Sequence, residues 1–535
     1  AIEGPCGLLR PKILLGMRPL RALVVASFGA GVLSFSHRSL AARSSSRPLT
    51  RRSGLLDGMN KMFSGGASAP TAAPSLVAFE GIGPAPSWGA IEATIAGTET
   101  GRALALALKE REAGAGPAHT DAALRLFGTD QEPRVTLYRD RAGWCPYCQK
   151  VWLLLEEKQI PYRVEKVAMR SYGDKPQSFL NKVPSGLLPA IELDGKLYTE
   201  SLVIMQLLEQ TFPEVATVPS EAQGLARAKR LLELERQLFS WWCSLTFRPG
   251  NQAKSGFESC LDEVERALGE ESGHPWLLVT PRGQGPSLVD LQYISHVERM
   301  AASALYWKGL DLRNTKRWPL LELWFRAFEE RPAYLATKSD YYTHCQDIPP
   351  QYGPGYGSPA GASFSAAIDG QGPSGWRLPL PELDATSTPE PFYLTGGQPV
   401  DQEAARHEAA AKLAGNREKV LMFALRGAGT KGAKRFQAPL ADPYATPSED
   451  PSVAAATDLL LRSAVALLAE GDATGEGLTA EGLRAGLAEV DGAAAAEAKV
   501  CGAYLRDRIG VPRDMSFPAA RQLRAHLNWA IDALP

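Results

Sequence analysis

The chain lacks a dominant charge: 58 Lys and Arg stand against 59 Asp and Glu over 535 residues, a formal net charge of −1. No overall field draws it to nucleic acid or to an anionic surface. No apolar run reaches the ~18 residues of a spanning helix, so stable membrane insertion is not expected. Seven cysteines in so long a chain cannot make a disulfide framework. A zinc site needs a second ligand pair at matching spacing. Cys6, Cys243, Cys260, Cys345 and Cys501 stand singly and no His pair completes a knuckle, so no metal is expected. Repeats at solenoid periods are absent as well.

One tract lacks acid altogether. Met17 to Leu56 holds seven Arg and no Asp or Glu, with many Ser and Ala. Its apolar stretch, Ala22–Phe35, fits the core of a signal peptide, and the basic, Ser-rich tract behind it fits an organelle transit peptide. Residues 1–56 are therefore expected to be a targeting peptide, addressed to the plastid (chloroplast) or, as the alternative, the mitochondrion.

The remainder has the composition of globular protein, 44% hydrophobic and 22% charged, and a length for about three or four domains. Residues 57–130, rich in Gly, Ala and Pro, are expected to form a linker and partly ordered lead-in with one helix near 89–112. Over 131–215 strand and helix alternate: β at 134–138, α at 146–158, β at 162–168, an irregular segment to 187, β at 189–193 and 196–199 about an Asp194-Gly195 hairpin turn, then α at 201–211. This order predicts an α/β thioredoxin-like domain. Amphipathic patterns at 225–247, 257–268, 289–305 and 320–328 predict an all-α domain over 220–345, with Ser287 and Asp290 as a capping box. Residues 346–400 read as a Pro/Gly-rich linker. Residues 401–535 read as an α-helical extension of unknown role, with Leu460, Leu461, Val465, Leu468, Leu505, Leu523, Leu527 and Trp529 as its large apolar anchors.

Cys145-Pro146-Tyr147-Cys148 falls where the first strand gives way to helix. A cysteine in the first turn faces free backbone N–H groups and the positive end of the helix dipole, and both favour thiolate. Arg139, Arg141 and Lys150 add positive charge. Cys145 is the candidate nucleophile, and Cys148 is placed to resolve a mixed disulfide.

Residues 134–337 resemble the glutathione transferase family. Cys-Pro-Tyr-Cys, Leu-Pro-Ala (188–190) and Glu-Ser (200–201) mark a glutaredoxin-like half, and Pro-Ser-Leu-Val-Asp (286–290) and Arg-Pro-Ala-Tyr-Leu-Ala-Thr (331–337) a helical half. The stretches 341–345 and 505–515 also look like plastid-directed members of plants and algae. The resemblance implies glutathione as cofactor. Pro189 would be a cis-proline whose neighbour Leu188 pairs by backbone with the cysteinyl part. Glu200 and Ser201 would bind the γ-glutamyl group, and Tyr147 would lie near it. Many cysteine-type relatives carry Lys two residues before the proline; here that residue is Leu187, and Lys182 is the nearest substitute in sequence. Trp241, Trp242 and Phe247 would help line the second substrate's pocket, or else be core. His296 and His344 are expected to be structural. The implied activity is thiol–disulfide exchange between glutathione and a small-molecule or protein disulfide, the competing class being a non-catalytic binding or assembly module. A homodimer or a plastid protein partner is the further expectation.

Overall fold

The computed structural model describes residues 83–534, apart from 272, 373–374, 384–387, 392–399, 435, 472–477, 489 and 491. The expected leader, residues 1–56, and the first part of the lead-in lie outside the described residues.

The thioredoxin-like half is a five-stranded sheet in the order β1-β3-β2-β4-β5. Its strands are β1 (Leu124–Arg125), β2 (Val135–Asp140), β3 (Tyr162–Val167), β4 (Ala190–Leu193) and β5 (Lys196–Thr199). β2 runs parallel to β3 and antiparallel to β4, with Leu137 opposite both Val164 and Ile191. The β2–β3 crossover is helix Pro146–Glu157, whose apolar residues apart from Tyr147 are buried. A strand pair joined in parallel needs such a crossover, and one packed between layers reads apolar all round. The β4–β5 hairpin turns at Asp194 and Gly195, both with positive φ, as its Asp-Gly pair predicts. The segment expected to be irregular contains a short helix, Gln177–Lys182, and Ser201–Thr211 closes the domain.

The helical half centres on Leu288–Lys308, where nearly every residue is buried. Its capping box is formed: Ser287 Oγ accepts from the Asp290 N–H at 3.2 Å, and Asp290 Oδ2 accepts from the Ser287 N–H at 2.9 Å. The other Asp290 oxygen accepts from the Leu277 N–H and from the Trp324 indole, both at 2.8 Å. Helices Ala222–Thr246 and Tyr341–Asp347 pack on it, Lys254–Gly269 packs on Ala222–Thr246, and Pro319–Glu329 packs on Lys254–Gly269.

Residues 83–130 are more than a linker. Helix Trp88–Gly97 stops at Thr98, which caps Glu99–Glu112, and the chain then supplies edge strand β1. Trp88, Ile91 and Ile95 enter the core of the C-terminal helical domain, built on Gln402–Ala414, Pro451–Glu470, Gly492–Arg506 and Phe517–Ala533. Pro451–Glu470 is long and apolar enough to cross a membrane by length and composition, yet it lies almost wholly inside this core. It carries a buried Asp458–Arg462 pair (2.7 Å), whose other groups bond the Trp88 indole and the Ala85 carbonyl. Of the expected anchors, Trp529 alone is only partly buried; the other seven are core. The expected linker 346–400 also contains order: a helix at Ala362–Ile368, a buried Trp376, and Glu390, which accepts from the Tyr341 N–H at 2.8 Å.

The C-terminal domain is joined to the helical half through buried groups. Arg524 donates to Asp340 Oδ2 at 2.6 Å and to the Ile509 carbonyl at 2.8 Å, and lies over the rings of Tyr342 and Trp376. Tyr342 OH donates to the Asp507 carbonyl, and the Val511 N–H to Thr343 Oγ1. Breaking a buried pair by removing one partner leaves an uncompensated charge, at a cost of about 3–5 kcal/mol. Arg524→Ala should lower the stability read from urea unfolding by that amount. A change under ~1 kcal/mol would mean that the two domains are held together elsewhere.

Candidate functional site

β2 ends at Asp140, and the next helix begins at Pro146. Asp140 Oδ2 accepts from the Trp144 N–H at 2.7 Å, which folds the loop back on the strand end. Gly143 turns at φ +66, and a Cβ there would meet Thr120 Cγ2 at 2.9 Å, so a side chain is excluded twice over. Cys145 is the N-cap, with Pro146 in the first helical turn and no side-chain cap bond. Its sulfur is therefore left at the end of the helix where N–H groups are unpaired.

The two cysteines differ in setting. Cys145 is 9% exposed and Cys148 1%. Their sulfurs and a carboxyl oxygen of Asp140 all lie within 4.8 Å of one another. Burial pushes the Cys148 thiol well up, and its hydrogen bond towards Cys145 and the charge of that neighbour add to the rise. Cys148 thus holds its proton more tightly than a free thiol.

Of the three cations expected beside Cys145, one is in place. Arg139 is buried over the Trp152 ring at 4.2 Å and bonds the carbonyls of Asp140 and Thr120, so its charge is used in holding the loop. Arg141 is exposed. Lys150 is buried, donates to Gln292 Oε1 at 3.0 Å and sits 4.9 Å from the Tyr147 ring centroid. Burial lowers its pKa to about 8, opposed by Glu235 and by Cys145.

The helical half holds this loop from behind. Arg299 donates to the Trp144 carbonyl, to Gln149 Oε1 and to Glu298 Oε1, and its guanidinium lies 4.8 Å from the Trp144 ring. The Trp144 indole donates to His344 Nδ1 at 3.1 Å. His296 Nδ1 bonds Glu235 Oε1 at 2.8 Å while its Nε2 is buried without a hydrogen-bond partner among the described residues, and its ring meets Tyr147 edge-on. Both histidines therefore stand in the wall of the site. Trp242 is core and bonds Ser303 Oγ; Trp241 points outward; Phe247 stacks on Tyr352, whose hydroxyl faces that of Tyr147. Tyr147 is 37% exposed. Two bonds cross the site's rim, from Tyr172 OH to Asp347 and from Gln351 Nε2 to Ser171 Oγ.

Ahead of β4, which pairs antiparallel with β2, runs the turn that resembles part of a glutathione cradle. Leu188–Pro189 is cis. Glu200 holds φ +67, in the region that favours glycine, a strained conformation of the kind that collects at functional sites. Its side chain does not cap the Ser201–Thr211 helix. Among the described residues neither Glu200 nor Ser201 spends its side chain on a hydrogen bond. Lys182 does not replace the missing lysine: it is engaged by Tyr138 OH and Glu192 Oε1, both at 2.7 Å, because its helix lays it across β2 and β4. A second cation, besides Lys150, whose charge interacts with the cysteines is Lys175, its ammonium 5.7 Å from the Phe179 ring centroid. It feels the charge of Cys148, Cys145 and Asp140, packs its stem near Gly186, and has no ion-pair or hydrogen-bond partner among the described residues. Sequence reasoning missed it because 169–187 looked irregular. The Lys175-Pro176 pair just ahead of helix Gln177–Lys182 was the available signal.

A buried dithiol at a helix start and a cis-proline ahead of β4, in a thioredoxin-like domain joined to a helical half, define a thioredoxin-fold protein of the transferase type. The family model for the glutathione S-transferase N-terminal domain matches residues 144–211. The chain is 32% identical over 184 residues to glutathione S-transferase DHAR2 of Arabidopsis thaliana, covering 34% of this chain and 76% of that protein. It is 41% identical over 85 residues to the chloroplastic glutathione S-transferase DHAR3 of the same plant, 16% and 32% of the two chains. Among solved structures, glutathione transferase Omega 3C from Trametes versicolor is 26% identical, with a TM-score of 0.34 over 44% of this chain and 96% of that one. The chain belongs to the glutathione S-transferase family.

His296 provides a test of the wall. Burial holds its pKa down to about 4, against 6.5 when free. Its contribution is intact above pH 6.5 and is lost as pH falls towards 4, because only the unfolded chain takes up the proton there, at up to about 1.4 kcal/mol per pH unit. His296→Gln should flatten part of the fall in urea midpoint between pH 7 and 5. Parallel pH profiles for the two proteins would show that this histidine is not the buried neutral group described.

Proposed function

We propose that this protein is a glutathione-dependent thiol–disulfide oxidoreductase, of glutaredoxin or dehydroascorbate-reductase type, with Cys145 as nucleophile. The observation that carries the reading is the unequal pair at the helix start: a Cys145 that caps nothing with its sulfur and a Cys148 that holds its proton more tightly than a free thiol. Cys145 thiolate attacks one sulfur of a disulfide and forms a mixed disulfide while the other sulfur leaves as a thiol. A glutathione thiolate, or Cys148, then displaces the bound half. A transferase that works by hydrogen-bonding the glutathione sulfur would present Ser or Tyr in place of Cys145.

The residues present fit glutathione. The Leu188 backbone ahead of cis-Pro189 can pair with the cysteinyl amide, as strands pair. Glu200 can accept from the α-ammonium, Ser201 and the helix N–H groups can donate to the neighbouring carboxylate, and Lys175 can meet the glycyl carboxylate in place of the lysine that Leu187 replaces. The chloroplastic name of one relative supports a plastid location, in keeping with the basic leader. The competing reading, a non-catalytic binding module, draws on the low exposure of Cys145 and on the Tyr172–Asp347 bond over the rim. In it the cysteines would not turn over.

Exchange assays separate the two. Cys145→Ser should abolish glutathione-dependent reduction of a small disulfide, while Cys148→Ser keeps the route that uses glutathione alone. Equal rates for Cys145→Ser and wild type would leave the binding-module reading. Glu200→Ala removes a charge-assisted bond of roughly 1.5–3 kcal/mol, so calorimetry should show glutathione binding ~10–150-fold weaker. Unchanged affinity would place the ligand elsewhere.

A further inference from the structure

We propose that the cleft between helix Glu99–Glu112, helix Gln402–Ala414 and strand β1 binds a long-chain carboxylate of the fatty-acid class, with the apolar chain along its floor and the carboxylate at Lys412 and Arg111. The site is separate from the dithiol and does not rest on its chemistry.

The cleft has a volume of about 640 Å³, within the range of roughly 300–1,000 Å³ that small-molecule sites occupy. It opens where the lead-in helices, the C-terminal domain and the first strand of the sheet meet, and sites of this kind concentrate at such junctions. No residue of the cysteine loop or of the turn at Pro189 lines it. Ile95, Leu104, Leu108, Leu124 and Ala411 supply the apolar lining. Helix Glu99–Glu112 is the outer wall. It packs on Trp88–Gly97, Gln402–Ala414 and β1, yet buries none of its side chains, and Leu108 on the cleft is 48% exposed. A helix of this length is marginal by itself in water. This one is fastened at its start, where Thr98 Oγ1 accepts from the Gly101 N–H at 2.9 Å and Arg102 donates to the Gly97 carbonyl at 2.7 Å. The wall is thus held without its leucines being packed.

The charges are placed unevenly. Asp121 lines the cleft, and three cations act on it: Lys166 at 3.1 Å, Arg111 at 3.9 Å and Lys412 from further away. Lys412 is half-buried and has no ion-pair or hydrogen-bond partner among the described residues. His119 beside them adds no charge. Its Nδ1 accepts from the Asp121 N–H at 2.9 Å, and burial, with Lys412 and Arg111, holds its pKa down to about 4. Of the other acids that line the cleft, Glu92 is paired with Arg417 and Glu112 is exposed. Three cations for one carboxylate leave this end short of negative charge. An apolar floor with such an end is complementary to a long apolar body with a single anionic head, and the guanidinium fork of Arg111 matches a carboxylate. A protein partner would need about 800 Å² of matching surface on each side, whereas a concave space between two helices and a strand takes one chain-like molecule.

Fluorescence titration of the full-length protein with cis-parinarate, a fluorescent long-chain carboxylate, tests the site, with oleate and oleyl alcohol as competitors of equal chain. Oleate should displace the dye, and oleyl alcohol, which lacks the charge, should do so ~10-fold less well. Lys412→Gln should weaken oleate ~10-fold and leave the alcohol unchanged. Ala105→Trp fills the cleft from a helix that buries no side chain, so the dye should no longer bind while the fold is kept. The melting temperature of that variant checks the fold, and Lys412→Gln decides alone if it has fallen. Dye binding that both variants leave unchanged would place the ligand elsewhere and overturn the proposal. Equal displacement by acid and alcohol would overturn it, as would a wild-type protein that binds no dye. A wild-type dimer that Ala105→Trp dissociates, with no dye bound, would give the cleft to a second copy of the chain instead.

Discussion

Arg299 is the residue on which the site's geometry depends. It is buried in the central helix of the helical half, yet its guanidinium reaches the loop of the other half, at the carbonyl of Trp144 and the amide of Gln149 on either side of the cysteine pair. A guanidinium suits this because its planar fork serves several acceptors at once. Glu298 beside it and His344, which holds the Trp144 indole, complete the attachment. The loop that carries Cys145 is therefore fixed from two directions, by Asp140 on its own strand and by the helical half behind it. Neither half would hold the nucleophile in place alone.

A second constraint ties the C-terminal domain to this frame. Its core takes Trp88, Ile91 and Ile95 from the segment before the sheet, and Arg524 buries its charge against Asp340 of the helical half. The same domain reaches the neighbourhood of the site: Arg513 lies near Tyr172, Tyr444 OH bonds Asp174, and Thr120 bonds the Pro512 carbonyl. The loop that carries Lys175 is thus flanked by residues of the far end of the chain.

Much of the fold was legible because the transferase half follows local rules. The Asp194-Gly195 turn, the Ser287–Asp290 box and the apolar periods of the long helices each depend on neighbours in sequence, and each lies where those patterns put it. The segments read as linkers were harder. Trp88–Gly97 is short, and its partners lie more than 300 residues away, so nothing local marks its burial against Pro451–Glu470. The Ala-rich C-terminal helices looked thinly apolar for a related reason: small residues let helices approach closely, and the core is made by that approach as much as by large side chains.

By itself the sequence determined that a cysteine pair would stand at a helix start, that a proline turn and a Glu-Ser helix start would follow, and that helical segments would come after. These follow from chain order, spacing and turn chemistry. Which cations face the thiols was decided by tertiary structure alone. Arg139 and Lys182 look available in sequence but are used up by carbonyls, a tyrosine and a glutamate, while Lys175, in a stretch without pattern, keeps no ion-pair or hydrogen-bond partner among the described residues. The same holds for Asp140 and Arg299. A charged side chain's role depends on which partners are left for it once the backbone is folded, and that is a property of packing rather than of neighbours along the chain.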